Sequence, residues 1–405
     1  MKNKEDFKKL ELPYAEDAPI VSIPRFKQPL SGLVSLLFTF AISLILWWIF
    51  FDPRWHPEAI EVIGVLLGGF GLIGVIWAIW FSNWPYYDRF DSLWKIGLVG
   101  TLINIAIAVI FTFIITPLFS NWYSSMLNIT NPEIAAYTGA AVLGPLSATC
   151  FSFANTWVAG SLFWPFFKKK NPKRGILLWI IGTAINLTAW ALLFLDTGVP
   201  GASSKASAVC GSLPFFPVCK YAISMGWTQW MIFFTLLTMY VLEYWPWTKL
   251  GKKQPQIGIY GFIGCAVLGL VFSLIFPYIV AFTIDPIFVA LGGTPPGSLE
   301  RFSGWYLISI SLAVFLVSGV VVVGMFFDNW PRKYSQRVNF IIRTVLSIVI
   351  GLGLFFGYYL SGAFLVGDDP NFWRMTPTDF MVFFLWIQLL FAIIWRKWPI
   401  FKKYE

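Results

Sequence analysis

Long apolar runs, separated by short stretches of Pro, Gly and charge, set the pattern of this chain. A helix that crosses a bilayer needs about 20 mostly apolar residues. Ten runs reach that scale, at 30–51, 60–82, 93–119, 137–164, 175–196, 222–244, 257–283, 304–327, 338–361 and 378–398. The fourth carries Gly139, Gly144 and Pro145. Proline removes a backbone donor and clashes with the preceding turn, so a break or kink is expected there. The pattern predicts an all-α, polytopic integral membrane protein of about ten transmembrane helices. Residues 30–399 form the membrane domain, between tails 1–29 and 400–405.

The runs are also punctuated in register. Trp-Pro recurs at Trp84-Pro85, Trp164-Pro165, Trp245-Pro246, Trp330-Pro331 and Trp398-Pro399, spaced 80, 81, 85 and 68 residues apart. Each copy closes an even-numbered run. Trp prefers the interface, and Pro stops a helix and restricts the residue before it. A common exit device would need no more than that; five copies in register favour internal repetition. Run three carries Gly100-Thr101-Leu102-Ile103-Asn104 and run five Gly182-Thr183-Ala184-Ile185-Asn186, at similar distances past a Trp-Pro. The chain thus parses into five repeated helical hairpins of one orientation, related by an axis along the membrane normal. Such hairpins can close into a ring or bundle. The layout is similar to that of the tellurite-resistance and slow-anion-channel family, also ten helices in five hairpins. That similarity is one of layout and carries no residue over.

Composition agrees with a lipid environment. The 405 residues are 58% hydrophobic and 12% charged, against roughly 25% charged in average soluble domains. The net charge of +9 lies in short loops between apolar runs, so it reads as orienting charge and excludes nucleic acid as a partner. With the N-terminus in the cytoplasm, 24 of the 29 Lys and Arg fall inside, and only Arg54, Lys205, Lys220, Arg301 and Arg374 fall outside. The positive-inside rule therefore predicts a multi-pass protein of the cell (cytoplasmic) membrane with both termini cytoplasmic. Residues 1–29 lack the short basic start and h-region of a cleavable signal, so run one is expected to be an uncleaved first helix.

Several chemistries lack equipment. The single histidine, His56, sits in the first outer loop, so no run offers a haem ligand. Four scattered cysteines supply neither an iron–sulfur run nor a His/Cys zinc site. No phosphate loop or dinucleotide fingerprint is present. Gly68-Gly69-Phe70-Gly71 lies inside run two, where small residues permit close helix packing. No cofactor and no metal are expected. Cys210 and Cys219 share an outer loop; an oxidising compartment would bridge them, and two free thiols are the alternative. Cys150 and Cys265 lie within runs as packing residues. Enzymatic acid–base work would have to rest on Asp285, Asp368 or Asp369, and a catalytic role is the weaker expectation.

Uncharged polar residues carry most of the remaining interest. Thr101, Asn104, Thr183 and Asn186 occupy matching depths, and run four adds Thr149, Ser152, Asn155 and Thr156. On a 3.6-residue period Thr149, Ser152 and Thr156 share a face. Such residues either bond neighbouring helices or line a polar path. Glu243, Asp328 and Arg343 sit near the cytoplasmic boundary as a candidate charged gate, where Arg343 either snorkels to headgroups or pairs with an anion. Two functions follow. The first is a transporter or channel for a small solute, with an anion as one candidate. The second is a haem-free membrane subunit that anchors a multi-protein, respiratory-type complex and carries a quinone or lipid site. Outer loops 197–221, 284–303 and 362–377 are its candidate docking surfaces.

Overall fold

The computed structural model describes residues 22–56, 63–87, 89–195, 210–213, 216–251, 253–291, 303–366 and 376–403. Every one of the ten apolar runs falls on a helix. In chain order these are α1 (Leu30–Phe50), α2 (Val65–Trp80), α3 (Leu93–Leu127), α4 (Pro132–Gly160), α5 (Lys173–Phe194), α6 (220–241), α7 (Gln256–Ala290), α8 (303–326), α9 (Gln336–Val366) and α10 (376–394). Seven are long and apolar enough to cross a membrane by length and composition, and Val65–Trp80 and Thr378–Ile394 are shorter apolar helices. Helix α4 is interrupted at Gly144, as its Gly144-Pro145 pair predicts: one helical segment ends at Leu143 and the next begins at Pro145, although Gly144 keeps helical φ and ψ of −48° and −45°, and the wide π-turn Cys150–Ala154 follows. Pro145 follows a residue that already ends one helical segment, so it costs little there. Two small antiparallel ribbons complete the fold: β1 (Ser22–Pro24) pairs with β4 (Phe401–Lys403), and β2 (Cys210–Leu213) with β3 (Phe216–Cys219).

The helices sort into two layers. The even-numbered helices form the inner layer, packed in the circular order α2–α4–α6–α8–α10 and back to α2. The odd-numbered helices lie outside them. Helix α3 covers the α10–α2 seam, α5 the α2–α4 seam, α7 the α4–α6 seam, α9 the α6–α8 seam and α1 the α8–α10 seam. Burial follows the layers. The apolar window of α8 is 89% buried and that of α4 65%, whereas those of α1, α3, α5, α7 and α9 are 22–28% buried.

Sequence explains the sorting. Outer helices α1, α3 and α7 turn a narrow stripe of small or polar residues inward, at four-residue spacing on two of them: Ser31, Ser35, Thr39 and Ser43 on α1, Gly97, Gly100, Asn104 and Ala108 on α3, and Gly261, Cys265, Gly269 and Ser273 on α7. Their large apolar residues face out, as with Leu37, Ile49 and Phe50 on α1. A soluble helix does the reverse. Lipid is as apolar as Leu, so helix association here rests on close packing and hydrogen bonds, which small residues allow. The notches are specific. A Cβ added at Gly32, Gly97 or Gly175 would overlap Phe327, Trp395 or Phe81. Each of those knobs is the third residue before a Trp of a Trp-Pro pair.

Candidate functional site

All five Trp-Pro pairs build the same backbone corner. The two residues before each Trp are left-handed: Ser82 and Asn83, Leu162 and Phe163, Glu243 and Tyr244, Asp328 and Asn329, Arg396 and Lys397, with φ between 49° and 65°. Each Trp–Pro bond is cis. In each corner the Trp N–H donates to the carbonyl three residues back: Phe81, Ser161, Leu242, Phe327 and Trp395. A left-handed residue ends a helix by turning its N–H back onto the last free carbonyls. For bulky L residues that conformation costs about 1 kcal/mol or more each, so the contacts around a corner must hold it.

Those contacts run around the ring in one direction. The side chain just before the Trp donates to the carbonyl five residues before the Trp of a neighbouring corner. Asn83 Nδ2 reaches Ile393 O at 3.1 Å, and Lys397 Nζ reaches Met325 O at 3.1 Å. Asn329 Nδ2 reaches Tyr240 O at 2.8 Å, and the Tyr244 hydroxyl reaches Ala159 O at 3.3 Å. Helix ends leave such carbonyls without intrahelical partners, and this arrangement satisfies them from the next helix. The circle therefore goes α2 to α10 to α8 to α6 to α4. At the fifth joint Phe163 has no donor to offer. There Arg174, from the start of α5, lies over the Phe163 ring and donates Nη2 to Ser82 Oγ at 2.9 Å. Beside the α2 corner, the Tyr86 hydroxyl donates to Asn83 Oδ1 at 3.0 Å. Burial pushes its pKa up, against the pull of the nearby Arg396 charge, which keeps it a donor.

A second circle of side-chain bonds lies within the helices. Trp80 Nε1 donates to Asn155 Oδ1 at 3.3 Å, joining α2 to α4. Thr156 and Thr235 hydroxyls meet at 2.6 Å, joining α4 to α6. Trp230 Nε1 donates to Ser309 Oγ at 3.2 Å, joining α6 to α8. Ser318 Oγ donates to Gln388 Oε1 at 3.0 Å, joining α8 to α10. The last joint passes through the outer layer: Trp386 Nε1 donates to Asn104 Oδ1 at 2.6 Å, and Asn104 Nδ2 donates to Gly71 O at 2.9 Å.

The polar residues singled out in the sequence thus sit between helices. Asn104, Thr149, Ser152, Asn155, Thr156 and Asn186 are all buried. Thr149 Oγ1 donates to Asn186 Oδ1 at 2.6 Å, Ser152 bonds its own helix at Ala148 O, and Thr101 Oγ1 accepts from Trp395 Nε1 at 2.7 Å. Thr183 lines a small cavity of about 120 Å³ with Asn186 and Trp80. The three charged candidates do not gather. Arg343 Nη1 pairs with Glu243 Oε1 at 3.0 Å, and Arg343 Nε donates to Pro331 O at 3.1 Å. Asp328 pairs instead with exposed Arg332. Asp285 accepts from Trp305 Nε1 at 2.9 Å.

Cys210 and Cys219 face each other directly in the β2–β3 register; their side chains, and Asp368 and Asp369, lie outside the described residues. So do most of loops 197–221, 284–303 and 362–377. Within the described parts, loop 284–303 begins as helix to Ala290, and α9 carries on to Val366.

Three cavities stand out among the described residues, and each is walled by at least one outer helix. The largest, about 730 Å³, is a groove between α1 and α3 with α10 as its floor. Another of about 430 Å³ lies between α5 and Trp227 of α6, and the third is the small one beside Thr183. No family model, curated protein or solved structure matches this chain.

Proposed function

We propose that the protein is a ten-span membrane protein of five repeated hairpins, with its Trp-Pro face and both termini cytoplasmic. We further propose that its ring of five inner helices is a conduit for a small solute. The observation that carries the reading is the closed circular order of the even helices, clasped by side chains at two levels. A ring in which four of five corner joints repeat one geometry fits hairpins related by an axis along the membrane normal. The pairing of β1 with β4 brings Ser22–Pro24 beside Phe401–Lys403, next to the last Trp-Pro corner, and the described basic residues near the corners, such as Arg25, Lys402, Arg396 and Lys397, favour an anionic cargo. Reconstitution of the full chain into liposomes, followed by an ion and small-anion flux screen, tests it. Flux above empty vesicles is expected. None across a broad panel overturns the conduit.

The groove between α1 and α3 favours a second reading, the haem-free subunit of a larger complex with a quinone or lipid site. Gentle native purification separates the two. Co-purifying subunits in fixed ratio support the subunit reading, and a chain isolated alone supports transport.

A further inference from the structure

We propose that the groove between α1 and α3 is a discrete site for one anionic phospholipid, its hydrocarbon lying along α10 and its phosphate among the basic residues at the Trp-Pro end. This rests on the membrane placement proposed above and is independent of solute conduction.

Length is the first argument. The α10 floor starts at Phe383 and is helical to Ile394, roughly 16 Å at 1.5 Å per residue, before the corner carries it on to Trp398. Half of a bilayer's hydrocarbon core is roughly 15 Å. The groove therefore accommodates a whole acyl chain entering from the Trp-Pro end.

Chemistry is the second. Ile42, Leu46, Ile105, Val109 and Phe113 make the walls. Three of the donors along them are already committed. Trp386 Nε1 donates to Asn104, Trp395 Nε1 to Thr101, and Thr39 Oγ1 to the Ser35 carbonyl at 2.9 Å. A hydrocarbon chain needs no donor, and the rest of the lining is almost wholly aliphatic and aromatic.

Charge is the third, and it selects one end. At the Trp-Pro end the groove stops at Trp398 and Pro399. The next residue, Ile400, accepts from the Arg25 N–H, and the β1–β4 ribbon follows. Arg25, Lys27 and Lys402 are exposed on this ribbon and its flank, and exposed Lys95 stands at the start of α3 with Asp91 as the acid nearest it in sequence. Trp395 and Trp398 stack at 5.7 Å between centroids beneath them, as interfacial indoles do. The opposite end is lined by Phe50, Phe51 and Ile63. Its cation, Arg54, is clasped by Asp52 with Nε 2.9 Å from Oδ1. Clustered Lys and Arg beside a membrane helix attract anionic headgroups.

The full chain, purified in detergent, would be offered phosphatidylglycerol or phosphatidylcholine of identical acyl chains, and retained lipid counted by native mass spectrometry. One phosphatidylglycerol per chain is expected, retained over phosphatidylcholine by about tenfold or more. Val109→Trp, which fills the middle of the groove, should abolish retention of both. The combined variant R25E/K27E/K95E/K402E should keep the site but lose the preference. Equal retention of the two lipids by the native chain overturns the proposal, as does unchanged retention in Val109→Trp or preferential capture of added ubiquinone. Should Val109→Trp not fold, the charge-reversal variant decides, since its four positions are exposed. Failure of the membrane placement reads differently: the chain would stay monodisperse without detergent.

Discussion

Replacing Asn104 by Leu separates a structural polar residue from one that lines a path. Asn104 is 2% exposed and joins three helices: its Nδ2 donates to Gly71 O on α2, and its Oδ1 accepts from Trp386 Nε1 on α10. Leu is of similar size and removes both bonds. Interhelical hydrogen bonds in membranes average about 0.6 kcal/mol each, so the pair accounts for about 1 kcal/mol. The larger effect is the indole N–H left buried without an acceptor, which adds about 1–2 kcal/mol. The expected loss is therefore about 2–3 kcal/mol. Trp386→Phe removes the stranded donor, so the double variant should recover about 1 kcal/mol relative to the sum of the singles. SDS titration of the detergent-solubilised chain, followed by far-UV circular dichroism, measures all four corners of this cycle. A single variant within about 0.5 kcal/mol of the parent would refute the reasoning. If that variant also changed solute flux, Asn104 would belong to a path and not to a joint.

Three further outcomes are expected. Phe163→Asn supplies the missing donor at the fifth joint, where the carbonyl equivalent to the other four acceptors is that of Ile79 on α2, and should raise resistance to SDS by about 0.5–1 kcal/mol; a loss would show that the circle cannot close there. Glu243→Gln leaves the Arg343 guanidinium, only 3% exposed, without its carboxylate. Because Glu243 is 27% exposed, the cost is discounted from the fully buried case to about 1–2 kcal/mol, and a neutral result in the same titration would remove the pair from the fold's supports. Directly opposed residues of an antiparallel ribbon have Cα atoms about 4.5–5.5 Å apart, within disulfide range. Thiol titration of the unfolded, unreduced chain should accordingly find Cys150 and Cys265 alone, and four reactive thiols there would exclude a Cys210–Cys219 bridge.

The sequence makes the helices plain because a long apolar run has one economical solution in lipid: a helix satisfies every backbone group within the run. Their ends were less legible. Helices α3 and α7 continue to Leu127 and Ala290, past the expected 119 and 283, because their polar atoms find partners there: Thr116 donates to Phe111 O of its own helix, Ser120 and Ser124 donate to α4 carbonyls, and Asp285 accepts from Trp305 Nε1. The Trp-Pro pairs mark where helices stop, but only two corners share Asn before the Trp. Tyr244 and Lys397 make the same bond as Asn83 and Asn329 with unlike side chains, since any donor of suitable length satisfies a carbonyl. A search for identical residues misses that equivalence.

The division into inner and outer layers did have a sequence signal, in the small-residue stripes of α1, α3 and α7. It is easily read as a packing preference alone. What turns it into a layer assignment is the companion fact that the other faces of those helices carry large apolar side chains with no protein against them. An inner helix such as α8 shows no stripe, since every side of it meets another helix. The groove lies wholly beyond sequence reasoning. It arises where α1 and α3, which cover the two seams on either side of α10, fail to close over it. No residue pattern in either helix records that gap; it is a property of three helices at once.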